Sequence, residues 1–127
     1  MNTFQAIDKF LTVVIEGYQM EARVVNNVAV EGCVTPPHNL KQLVDANARA
    51  EGAMQARNII SQTVAYSNVE GADTETAERE ALPRVIRALE TRLDVYLNSP
   101  ETHLETVKVI NDVLRSLRLE VEAVAAK

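Results

Sequence analysis

Residues 104–125 read LETVKVINDVLRSLRLEVEAVA, and their spacing decides the fold. Val107, Ile110, Leu114, Leu117, Val121 and Val124 recur at alternating steps of three and four. Only an α-helix gathers such positions on one stripe, because its 3.6-residue turn brings i, i+3, i+4 and i+7 together. The stretch just upstream repeats the pattern, with Leu82, Ile86, Leu89, Leu93 and Tyr96 at steps of four and three. Toward the N-terminus, Phe4, Ile7, Leu11, Val14, Tyr18, Val25 and Val28 do so with one gap, at Glu21 or Ala22. No segment alternates apolar and polar residues between turn signals, as a half-buried strand does.

Three breaks separate the helical stretches. Gly32-Cys33-Val34-Thr35-Pro36-Pro37-His38 cannot be crossed by a helix, because proline lacks the amide donor and clashes with the preceding turn. Ser67-Asn68-Val69-Glu70-Gly71-Ala72-Asp73 is polar and contains glycine. Asn98-Ser99-Pro100-Glu101 reads as a helix start, with Ser99 as N-cap, Pro100 in the first position and Glu101 against the positive end of the dipole. The expected helices are 3–31, 38–67, 82–98 and 100–125. Asp73 or Thr74 can cap a short turn over 74–81, which Pro83 then kinks or restarts. The expected class is all-α: one domain, an antiparallel bundle of about four helices, assembled as a homo-oligomer.

The chain has 127 residues, enough to bury a core without disulfides or metals. Aromatics are only 4%, so that core is aliphatic. A lone cysteine, Cys33, permits no internal disulfide, and the N-terminal stretch lacks a basic leader; a cytoplasmic location is expected. No run approaches the ~18 apolar residues of a membrane span. The net charge of -5 argues against nucleic acid. Arg84, Arg87, Arg92, Arg115 and Arg118 form the nearest thing to a basic face, and Glu90, Asp94, Asp112, Glu120 and Glu122 offset it.

Catalytic constellations do not assemble. His38 and His103 each lack the glutamate three residues earlier that a di-metal bundle uses. Cys33 and His38 have no further zinc ligand or orienting carboxylate nearby. Glu75 and Glu78 have the i, i+3 spacing of a magnesium-binding pair, yet no second pair faces them; they read as an acidic first turn. No catalytic residue, metal or cofactor is expected.

The second helix departs from the pattern. Its best stripe, Leu43, Ala46, Ala50, Ala53, Arg57, Ile60 and Val64, is rich in alanine and interrupted by arginine. Alanines permit close approach of another helix, and a stripe arginine is rarely buried without a partner. Arg23, Asn26, Asn47, Arg57 and Asn58 are candidates for a polar ligand pocket between the first two helices, with Tyr66 for stacking; arginine and asparagine can fork onto a phosphate or carboxylate. The first and fourth helices carry surplus apolar residues: Phe10, Val13, Ile15, Met20 and Val24, and Leu104, Val109, Val113, Leu119 and Ala125. Leu104, Val113, Leu117 and Val121 are the expected oligomer interface. The expected function is non-catalytic binding by a homo-oligomer, directed at a protein partner or a small anionic ligand. Two alternatives are a phage-type inhibitor or sponge for a nucleotide-like signal, and a structural assembly component.

Overall fold

The computed structural model describes residues 2–30, 37–67, 71, 73–99 and 103–126, with side chains at 2–23 in the first helix and from 40 in the second. Four helices account for nearly all of them: α1 Thr3–Val30, α2 Pro37–Ser67, α3 Thr74–Leu97 and α4 Leu104–Ala125. No strand occurs among the described residues. The chain is all-α, as the spacing predicts.

Polar contacts mark where the helices meet. Arg57 of α2 meets Asp8 and Thr12 of α1. Ser67 and Arg84 mark one end of the α2/α3 contact. Arg118 of α4 reaches Glu90 of α3, and Thr3 of α1 donates to Glu120 of α4 at 2.6 Å. Three helices supply buried aliphatics along their shared faces: Ala53 and Ala56, Ala81, Val85 and Leu89, and Ile110, Val113, Leu114 and Leu117. α1 adds Ile7 and Leu11, and it packs mainly on α2 with only a light touch on α4.

α2 is the central element because its side chains are small. Ala46, Ala50, Gly52, Ala53 and Ala56 are all buried. A Cβ on Gly52 would lie 3.0 Å from the Thr106 carbonyl oxygen and 3.2 Å from its Cα, so α2 and α4 touch backbone to backbone. Thr106 secures the crossing: its buried hydroxyl donates to the Ala48 carbonyl at 2.8 Å.

α1 and α2 are also the longest helices, 28 and 31 residues, or about 42 and 47 Å. α3 and α4 reach only about 36 and 33 Å. α4 begins opposite Ala48 and Arg49, part-way along α2.

Two boundaries differ from the sequence expectation. α3 begins at Thr74 rather than 82 and runs unbroken through Pro83. Asp73 caps it, accepting from the Thr76 amide at 2.8 Å, and Ala77, Ala81 and Leu82 bury a continuous face. The proline removes one hydrogen bond, to the carbonyl of Arg79, and both residues are solvent-exposed, so water can satisfy that oxygen. α4 begins at Leu104 rather than 100, with His103 at its cap position making no side-chain cap bond. The Tyr96 and His103 rings meet edge to face at 4.9 Å, and the Ser99 amide donates to the Tyr96 carbonyl at 3.1 Å. Pro100 and Glu101 lie outside the described residues.

Candidate functional site

The hollow richest in converging chemistry lies between the N-terminal half of α1, the C-terminal half of α2 and the first turns of α3, with a volume near 450 Å³. Helical spacing builds each wall. Phe4, Ile7, Asp8 and Leu11 come from α1; Arg57, Ile60, Ser61, Val64 and Ala65 from α2; Thr74 and Glu78 from α3. The lining is mostly apolar, with one aromatic ring, Phe4, and the charged groups of Asp8, Arg57 and Glu78.

Arg57 is the only cation in the lining, and it is engaged. Its Nη2 donates to the Thr12 hydroxyl at 2.5 Å. Its Nε is buried, lies 3.4 Å from the Asp8 carboxylate and has no hydrogen-bond partner of its own. The pair is partly solvated, Asp8 remaining 68% exposed at its side chain, so it is worth little in stability. Its role is to neutralise Arg57 on the α1-facing line of α2.

Glu78 faces the groove from α3, 9% exposed. Burial, and then the neighbouring Glu75 charge, push its carboxyl above the usual range. Asp73, one turn earlier, shifts the other way, because the Thr76 amide and hydroxyl hydrogen-bond its ionised form.

The sequence candidates are dispersed. Arg57 lines the groove. Asn58 is its neighbour in sequence and is exposed, as are Arg23 and Asn47. Asn47 and Arg57 are ten residues apart on α2, about 15 Å. Tyr66 is 88% exposed and borders a separate shallow hollow with Gln62, Thr63, Ser67 and Arg84. The side chain of Asn26 lies outside the described residues, as do those of Cys33 and His38. Of the four interface candidates, Val113 and Leu117 are buried in the chain's own core, while Leu104 and Val121 are exposed. The core claims the first two because α4 is wedged between α2 and α3, which take up both sides of its inner arc.

Phe4, Asp8 and Glu78 are groove residues that sequence reasoning missed. For Glu78 the signal was present: Glu78, Leu82, Val85 and Leu89 step by four, three and four, but Pro83 disguised the continuity.

A second hollow, near 660 Å³, opens where α1 and α4 barely touch. Thr3, Ala6 and Phe10 face Ser116, Leu119 and Ala123 across it.

Among the described residues, no group of three or more His, Cys, Asp or Glu side chains is placed to hold a metal ion. No helix among them is long and apolar enough to cross a membrane. Compared with family models, with curated proteins and with solved structures, the chain matches none.

Proposed function

We propose that this chain is a non-catalytic binding protein, an antiparallel four-helix bundle that self-associates and takes an amphipathic helix of a protein partner in its α1/α2/α3 groove. One observation carries the choice of a protein segment over a small anion. The groove is lined by Phe4, Ile7, Leu11, Ile60 and Val64, while its single cation already faces Asp8 and Thr12. An anion would have to displace Asp8 and approach Glu78, so its binding is disfavoured by charge. A helix presenting apolar residues at i, i+3 and i+4 instead fills the apolar lining, and a basic flank is placed beside the Glu78 carboxylate. The net charge of -5 favours the same occupant.

The experiment is titration with a helical peptide of alternating leucine and lysine blocks, with a leucine–glutamate counterpart as control. The basic peptide binds, the acidic one does not, and Val64→Lys on the groove wall weakens binding at least tenfold. Equal binding by the Val64→Lys variant overturns the reading. So does a thermal shift with mononucleotides or cyclic nucleotides that exceeds the shift with the peptide.

A further inference from the structure

α1 carries two stripes. Phe4, Ile7, Leu11, Val14 and Tyr18 face the bundle; Ile7 and Leu11 are buried, and the others are half-buried. The second stripe is Ala6, Phe10, Val13, Gly17 and Met20, at steps of four, three, four and three, and every member is exposed. Phe10 is 37%, Val13 60% and Met20 65% exposed. Nothing in the chain's own fold requires a glycine at position 17, since an added Cβ there meets no atom within 4 Å. A helical glycine without an internal reason costs about 1 kcal/mol relative to alanine. The stripe has the spacing of a two-helix seam, and it contains no charge.

We infer that the seam is covered by the same seam of a second copy, lying antiparallel, with the two-fold axis passing between residues 11 and 12. Charge complementarity selects this arrangement. Lys9 and Glu16 are exposed and flank the seam on its open side. In the antiparallel register, Lys9 of each copy meets Glu16 of the other, giving two opposite-charge pairs. The layers are then Phe10 against Val13, Ala6 against Gly17 and Thr3 against Met20, each occurring twice. The Ala6–Gly17 layer lets the helix axes approach closely, which accounts for the glycine. A parallel pair would set Glu16 against Glu21. An antiparallel pair centred on residue 15 would set Glu16 against Glu16 and Lys9 against Arg23, like charges throughout. A centre further along could match Glu16 with Arg23, but it would leave Lys9 without an acidic partner.

The α1/α4 hollow borders the seam, so the second copy also reaches the exposed Leu119. The partner groove lies on the opposite side of α1 and stays open. The inference rests on the self-association half of the proposed function and leaves the peptide-binding half independent.

Sedimentation velocity on the full chain tests it, with circular dichroism of each variant as the folding control. The wild type sediments as a dimer at high micromolar concentration. Glu16→Lys weakens association about tenfold, because two attractive pairs become repulsive. Lys9→Glu combined with Glu16→Lys restores it, and a register using Arg23 predicts no such rescue. Gly17→Leu abolishes the dimer without loss of helicity. A wild type that remains monomeric overturns both the seam and the self-association. A dimer indifferent to Glu16→Lys and Gly17→Leu overturns the seam alone. In either case, peptide binding sensitive to Val64→Lys leaves the groove reading standing.

Discussion

At Gly52 two principles oppose each other. Replacing a helical glycine with alanine usually stabilises by about 1 kcal/mol. Here the new methyl group would meet the backbone of Thr106 at 3.0 Å, and backbone cannot step aside as a flexible side chain can. Overpacking of this kind costs about 1–3 kcal/mol. Gly52→Ala is therefore expected to lower stability by about 1 kcal/mol, read from urea denaturation; an increase would mean that α2 and α4 are not held at this distance. Glu78 gives a pH signature. Its carboxyl is raised in the folded state, so the unfolded chain releases that proton first, and stability falls as pH rises from the ordinary carboxylate range through the folded value. Glu78→Gln should raise Tm at neutral pH and make no difference near about pH 3, where both side chains are neutral. Asp73 works in reverse. Its depressed carboxyl stabilises the fold above the ordinary carboxylate range, and that contribution is lost as pH falls through the folded value.

At the scale of the element, α3 shows how packing overrides a local signal. Pro83 sits inside a helix of 24 residues. Propensity alone assigns an interior proline about 3 kcal/mol of unfavourable free energy. The helix persists because the Asp73 cap and the buried line from Ala77 to Leu89 hold both sides of it. Pro83→Ala should then stabilise the fold by about 2 kcal/mol, less than the full propensity difference, since proline also restricts the unfolded chain. Chemical denaturation measures this directly, and a destabilised alanine variant would show that the proline is required by the packing.

For the whole molecule, the burial is uneven. Among the described side chains, α1 buries Ile7 and Leu11, fewer than each of the other helices, and it is flanked by hollows on both sides. In dilute protein, the amides of α1 should exchange with solvent faster than those of α3 and α4, because a helix with little buried surface opens without global unfolding. Raising the concentration should slow exchange along α1 specifically if the second copy covers its outer seam. Uniform protection across all four helices would refute the division.

Much of this architecture can be read from residue spacing. The steps of three and four in residues 82–96 and 107–124 specify helices directly, and the proline-rich and glycine-containing breaks specify where they cannot continue. The alanine stripe of α2 announces close approach. Other features are decided only in three dimensions. Helical spacing gives a face, but it does not say what covers that face. Val109 and Val113 look like surplus until the fold buries them, while Phe10, Val13 and Leu119 remain outside. Arg57 reads as a free cation for an anion until the fold brings Asp8 and Thr12 from a helix some forty-five residues away. The groove itself joins residues from the two ends of the first 78 positions, and no local pattern encodes that distance. The sequence determined four helices and the residues that stripe them. The tertiary structure determined which stripes are already covered, because burial and charge neutralisation depend on neighbours remote in the chain.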